Sequence, residues 1–362
     1  MPTILILGGA GLTGRALTNH LLAQTNADIL IAGRNFEKAQ AFAMELRSTR
    51  ARPIQVDATK YEDFTYALKG VTLCLVAAPT THAAKTVILS CLEAGVDYLD
   101  VQYSSQKLAS LIAAKDQILQ AGLCFVTEAG YHPGLPAAMV RFSASYMDVI
   151  ESALTAGYLN LSGIPYTDAV DELMESFIDY NAQVFKGGAW TKKNRWEIRS
   201  FDFGEEIGRR TCYSMFFEEL KALPEMYPSL KETGFYISGS NWISDTIITP
   251  LVMVGLKVAP KSGLRPLGRL TWWAMQLSKP PYLVALQVEA KGLRNGMPIC
   301  FRARIEHLDG YELTAIPVVA YLLQHLDGSA RKVGLHMMGH IADPLRLFED
   351  MQRMGAKLTI EN

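Results

Sequence analysis

The sequence predicts an α/β protein: an N-terminal doubly wound parallel sheet followed by an α+β domain with an antiparallel sheet. Three observations lead there. Over residues 3–130, short and wholly apolar runs alternate with stretches of helical periodicity, as expected of parallel strands buried on both faces. After Gly130 the pattern changes, and aromatics and turn residues become more frequent. Late in this second part, two alternating runs, Leu283–Leu293 and Pro298–His307, flank Asn295-Gly296, the strongest short signal for a β-hairpin.

Taken in order, Ile4–Leu7 reads as a buried strand and Leu12–Ala23 as the helix that follows it. Asp28–Ala32 is the next strand and Phe36–Leu46 the next helix. Pro53–Asp57, Thr72–Ala78, Tyr98–Val101 and Leu123–Thr127 continue the strands, with helical stretches at 81–94 and 105–121. Right-handed crossovers then make doubly wound topology the main choice. Ala137–Met147 reads as one further helix. The first domain is expected over residues 1–135 and a substrate and dimerisation domain over 136–314. Apolar helices at Ala315–Gln324 and Leu345–Met354 suggest that residues 315–362 return to the first domain.

A chain of 362 residues suits two domains. A 49% hydrophobic and 20% charged composition supports a sizeable core, and a net charge of −1 gives no sign of a nucleic-acid partner. The five cysteines are scattered, and four lie in apolar stretches. That favours reduced, buried thiols and a cytoplasmic location. A strand beginning at Thr3 leaves no room for a leader. Ile247–Leu256 is too short to span a bilayer and contains Pro250. Trp272, Trp273 and Tyr282 beside Arg265, Arg269 and Lys279 could suit a membrane face, but a pocket wall or dimer contact is favoured, and no membrane contact is expected. His336 and His340 have the i, i+4 spacing of one helical face, but no Glu completes a zinc motif and no third ligand is suggested. No metal site is expected.

Gly8-Gly9-Ala10-Gly11-Leu12-Thr13-Gly14 stands directly between a strand and a helix. In that context the spacing reads as the dinucleotide-binding loop of a Rossmann domain. One glycine permits the tight turn, a second lets backbone approach a pyrophosphate, and a third lets helix pack on sheet. Where NAD-binding domains place a carboxylate after the second strand, this chain has Arg34 and Asn35, with Lys38 one turn on. A guanidinium fork suits a 2′-phosphate, so the cofactor expected is NADP; the alternative is that Arg34 is a solvated helix-start residue. Asp57 could contact the adenine or cap the next helix. The small residues Ala77, Ala78 and Pro79 suit a strand end running beside the cofactor.

The loop, Ala32–Ala39, Val56–Thr59, Cys91–Asp100 and Gly130–Leu135 come in the order and spacing of the saccharopine dehydrogenase-like oxidoreductases, and residues 1–140 resemble that family. The resemblance implies NADP-dependent hydride transfer at a C–N bond of an amino-acid-like small molecule, or at a C=C bond as in an enoyl reductase. It also implies a homodimer formed through the second domain. Relatives acting on saccharopine commonly carry Asp where this chain has His132, so that particular substrate does not follow. His132 and Tyr131 are the candidate proton-handling residues. Asp100, Gln102, Tyr103 and Glu128 also follow strands and could line the cleft. Asp100 is expected to hold its loop by accepting backbone N–H bonds. Tyr103 and Lys107, with Ser90, spell the Y-x-x-x-K pattern of short-chain dehydrogenases, but the tyrosine follows a strand rather than lying on a long helix, so the match is read as chance. A non-catalytic NADP sensor is the competing reading from outside enzymology.

Overall fold

The computed structural model describes residues 1–161, 166, 170, 174, 177, 178, 180–239 and 241–361. Two compact units are present. One comprises residues 1–138 and 311–354, the other 139–310 and 355–362.

The first unit begins with β1 (Thr3–Leu7), α1 (Leu12–Gln24), β2 (Asp28–Gly33), α2 (Phe36–Leu46) and β3 (Ala51–Gln55). It continues with α3 (Tyr61–Ala67), β4 (Leu73–Val76), α4 (Ala84–Ala94), β5 (Asp97–Asp100), α5 (Ser105–Ala113), α6 (Lys115–Gln120) and β6 (Cys124–Thr127), and α7 (Leu135–Ala144) follows. The strands lie in the order β3-β2-β1-β4-β5-β6, with Gly334–Met337 added beyond β6, and every pairing is parallel. This is the doubly wound order, and its direction reverses between β1 and β4, the place where such sheets open a crevice at their C-terminal ends. Leu5, Leu7, Cys74, Val76, Tyr98 and Phe125 form one continuous core with Phe64, Val87 and Ile88 from the covering helices.

Several boundaries differ from the sequence expectation, each for a local reason. The helix expected over 105–121 divides at Ala114, where ψ falls to 0°; both Leu111 and Ile118 are fully buried on either side of that bend. The strand expected over 53–57 runs instead from Ala51 to Gln55. Asp57 leaves the sheet because its carboxylate accepts the Thr59 N–H and hydroxyl in a side-chain turn. The helix expected at 137–147 starts two residues earlier and ends at Ala144. His336 lies on a strand and His340 on a short helix, so they do not share a helical face. Among the described residues no group of His, Cys, Asp or Glu is placed to hold a metal ion.

The second unit is built on a mixed sheet. Its strands are β7 (Val149–Asn160), β8 (Phe185–Lys186), β9 (Ala189–Trp190), β10 (Ile198–Asp202), β11 (Arg209–Met215), β12 (Glu232–Ser238), β13 (Leu283–Arg294) and β14 (Met297–His307). With Gly334–Met337 numbered β15, the last strand is β16 (Lys357–Glu361). The order is β10-β11-β12-β7-β13-β14-β16. All of these neighbours are antiparallel except β12 and β7, which run parallel. Asn295 and Gly296 both take positive φ, 52° and 73°, as the tight turn between β13 and β14 requires. Leu154, Tyr158, Phe201, Phe203, Tyr236 and Ala285 are buried together on this sheet. The sequence reading returns residues 315–362 to the first domain, but β16 pairs with β14, so residues 357–361 lie in this second sheet. No described helix is long and apolar enough to cross a membrane.

Candidate functional site

Gly8 follows β1 with φ of 84°, and a Cβ placed there would lie 2.7 Å from that of Ala78 beyond β4. The two loops on either side of the switch point are therefore in contact, and only glycine lets them meet. A Cβ at Gly14 would overlap the Gly8 carbonyl, whereas at Gly11 it would meet only that carbonyl oxygen, 3.1 Å away. The loop is closed by the Gly8 carbonyl accepting the Gly11 N–H at 2.8 Å. α1 starts with Gly11 at its N-cap and no capping side chain. Its first-turn amides and positive dipole end suit an anion. Gly8, Gly9, Ala10, Gly11, Leu12, Thr13 and Gly14 thus form a backbone cradle that fits a pyrophosphate.

Arg34 and Asn35 follow β2, and Arg34, Asn35 and Lys38 are all exposed. Asn35 caps α2 by accepting the Lys38 N–H at 2.8 Å, and the Gln55 side-chain amide donates to the Arg34 carbonyl at 3.0 Å. The Arg34 backbone is held from two sides while its guanidinium reaches solvent. Arg34 lines a cleft of about 880 Å³ together with Gln55, Val56, Asp57 and Lys60. The Thr59 backbone and hydroxyl bonds hold the Asp57 carboxyl below its ordinary value. Asp57 does not cap α3, whose N-cap is Lys60. Ala77 and Ala78 are partly buried where β4 ends, and Pro79 is exposed.

Beyond β5 and β6 a buried polar knot holds three loops. Lys107 and Asp100 are fully buried and paired at 2.7 Å. The Lys107 ammonium also donates to the Gln102 carbonyl (2.6 Å) and the Thr127 hydroxyl (2.7 Å). Asp100 accepts the backbone N–H of Gln102 (3.1 Å) and of Glu128 (3.3 Å), and the Tyr98 and Thr127 hydroxyls at 2.8 Å. Gln102 then donates to the Ala78 carbonyl at 2.6 Å, joining the knot to the β4 loop. The Y-x-x-x-K match therefore has a structural content: Lys107 fills its donor capacity inside this knot, Tyr103 is exposed, and Ser90 is bonded to Thr65. In the sequence alone Lys107 stands out only as part of that chance match. The usable signal was an aspartate closing a strand with a lysine on the next helix.

Glu128 stands at the end of β6 with φ of 55° and is buried. The turn that follows is tight, since a Cβ at Gly134 would lie 2.7 Å from the Gly130 nitrogen. Tyr131 is buried, and its ring centroid lies 4.1 Å from that of His132. Burial pulls the His132 imidazole down from its ordinary value to about 4. The glycine loop, Ala77–Pro79, Asp100, Gln102, Glu128, Tyr131 and His132 all lie at or beyond the C-terminal ends of strands in one parallel sheet.

Residues 4–126 match the family described as saccharopine dehydrogenase NADP binding domain. A carboxyaminopropylagmatine dehydrogenase of Synechocystis sp. is 25% identical over 256 residues, covering 66% of this chain and 63% of the relative. A carboxynorspermidine synthase of Vibrio cholerae is 26% identical over 253 residues, covering 61% and 59%. The chain thus spans less than two thirds of the length of the curated relatives it matches. Among solved structures, a saccharopine dehydrogenase (L-Glu forming) of Saccharomyces cerevisiae superposes with a TM-score of 0.70 at 13% identity, covering all of both chains. At that identity the likeness shows a shared fold.

Proposed function

We propose that this chain, whose residues 4–126 match the family described as saccharopine dehydrogenase NADP binding domain, is an NADP-dependent oxidoreductase moving hydride at a C–N bond of an amino-acid-like amine. The observation that carries the reading is the contact of the Gly8 loop with Ala78 across the switch point, a cradle that a side chain would fill. The curated relatives support the substrate class, since both are named for carboxylated polyamine-type compounds.

The bound cofactor would supply the hydride and its nicotinamide ring. The glycine loop would bind its pyrophosphate, and Arg34 with Lys38 its 2′-phosphate. Asp57 would border the adenosine end, and Ala77, Ala78 and Pro79 would let the dinucleotide lie close to the sheet. In the proposed site Tyr131 and His132 handle the proton. An imidazole with a pKa near 4 is uncharged at neutral pH, so His132 offers a neutral hydrogen-bonding ring, while the Tyr131 hydroxyl can donate a proton. A homodimer and a cytoplasmic location are part of this proposal, supported by the resemblance and by the five free cysteines.

The test is NADPH oxidation with a panel of 2-oxo acids and aldehydes, each with and without a diamine or polyamine. Consumption that requires both carbonyl and amine is the expected result. Oxidation by an enoyl compound alone would assign C=C reduction instead, and tight NADPH binding without turnover on any member would assign a sensor.

A further inference from the structure

We infer that Gln102 is a positioning residue for the cofactor: its side-chain amide holds the loop after β4 against the glycine loop, where the dinucleotide is received. The inference rests on the NADP-binding reading above. From the sequence, Gln102 is one of several residues that could line the cleft. In the structure it is buried, and its Nε2 donates to the Ala78 carbonyl at 2.6 Å. That carbonyl belongs to the loop that meets the cradle. A Cβ at Gly8 would lie 2.7 Å from the Ala78 Cβ and 2.9 Å from the Ala77 carbonyl oxygen. A small shift of this loop therefore narrows or widens the space beside the glycine loop. The Ala77 N–H donates to the Leu7 carbonyl at 2.8 Å, which fixes the loop where β4 leaves the sheet. The Ala78 carbonyl also accepts the Thr80 hydroxyl at 3.3 Å, but Thr80 lies in the same loop and moves with it. Gln102 ties that carbonyl to a different strand end.

The backbone of Gln102 makes it a fixed point. Its N–H donates to Asp100 Oδ1 at 3.1 Å, and its carbonyl accepts the Lys107 ammonium at 2.6 Å. Asp100 and Lys107 are themselves fully buried and paired. Both main-chain polar groups of Gln102 are thus clamped by the knot built on β5 and α5, while its side chain reaches across to β4. Without the side-chain donor, the Ala78 carbonyl would lose its bond to the knot. Loop positions in which water reaches that carbonyl would then be favoured. A ligand that needs the loop in place binds with an apparent affinity reduced by the fraction of molecules that still hold it there. Ala77 and Ala78 meet the Gly8 end of the cradle and not Arg34. The loss should therefore fall on NADP and NAD alike, unlike the loss expected at a residue that binds only the 2′-phosphate.

The test is calorimetric titration of the full chain with NADP and with NAD, comparing the unsubstituted chain with Gln102→Met and Gln102→Glu. Methionine keeps the length of the side chain and removes the donor. Gln102→Met should bind both cofactors about tenfold more weakly, with cooperative urea unfolding retained. A glutamate in this place repels the Ala78 carbonyl when ionised and donates to it when protonated. Lys107 already donates to Asp100, Thr127 and the Gln102 carbonyl, so its three N–H groups are occupied. Burial and the neighbouring Asp100 carboxylate would raise the introduced carboxyl above its ordinary value. Measured against the unsubstituted chain at each pH, Gln102→Glu should bind about tenfold more weakly at about pH 8 and recover most of that by about pH 5.5. A merely structural role for Gln102 would give no such recovery. Affinities for Gln102→Met within about twofold of the unsubstituted chain, or a Gln102→Glu deficit that does not shrink on acidification, would overturn this inference alone. An unsubstituted chain that binds neither cofactor would overturn the NADP reading and this inference with it.

Discussion

Arg34 is the residue on which the proposed cofactor preference rests. Its backbone is fixed through Gln55 and the Asn35 cap, and its side chain is exposed in a cleft that also holds Lys60. No acidic residue occupies the two positions directly after β2, where NAD-binding domains place a carboxylate. Charge-assisted hydrogen bonds contribute about 1.5–3 kcal/mol each. Arg34→Ala should therefore weaken NADP binding about tenfold to a hundredfold and leave NAD binding within about twofold. Calorimetric titration of both cofactors checks this, and equal losses would remove Arg34 from the proposed phosphate site. Arg34 was legible in the sequence because its argument needs only a position after a strand and a charge. The low pKa of His132 was not, since it comes from burial by a turn whose packing no local pattern announces.

At the scale of the element, the Lys107–Asp100 pair joins α5 to the ends of β5 and β6. Removing one member of a buried ion pair strands the other and costs about 3–5 kcal/mol. Lys107→Met should cost that much in urea denaturation, and Lys107→Met with Asp100→Asn should recover part of it. A loss below about 1 kcal/mol would mean that water replaces the ammonium. The same elements mark how far the sequence could be read. β1, β2, β4 and β6 were plain because parallel strands covered on both faces leave almost only apolar residues. β7 is not legible: Val149–Asn160 mixes Glu151, Ser152 and Thr155 with small residues and has no clean alternation. β10 and β11 carry Arg199, Arg209 and Arg210 and lie toward one edge of their sheet, where polar side chains conceal the strand period. β15 is four residues long and gains its identity from pairing with β6, more than two hundred residues earlier.

In the molecule as a whole, Asp97 at the start of β5 is the point where the C-terminal segment is fastened. His325 approaches it at 3.1 Å and Arg331 at 2.7 Å. Burial works against a charged His325, but its hydrogen bonds to Asp97 and Cys124 outweigh that and raise it to about 9. Burial likewise opposes an ionised Asp97, and its bonds to His325, Arg331 and the Cys124 N–H hold it below its ordinary value. A raised histidine stabilises fully below its unfolded value near 6.5 and loses that contribution as pH climbs through 9. The lowered aspartate contributes above about 4 and loses its contribution as pH falls through its folded value. Stability from this clasp is thus greatest from about pH 4 to 6.5 and should fall by an amount on the order of 3 kcal/mol by pH 10. Unfolding free energies across that range check the slope, which His325→Gln should flatten.

The division of the chain has one more consequence, for the order in which the protein is made. Neither unit is a continuous stretch: the first resumes at Tyr311 after the second has begun, and the second takes its last strand from beyond Gly355. A ribosome releasing this chain from its N-terminus must expose β1 to β6 long before β15, His325 and Arg331 emerge. The parallel sheet therefore waits with its β6 edge unpaired and Asp97 without its two cations while about two hundred further residues are synthesised.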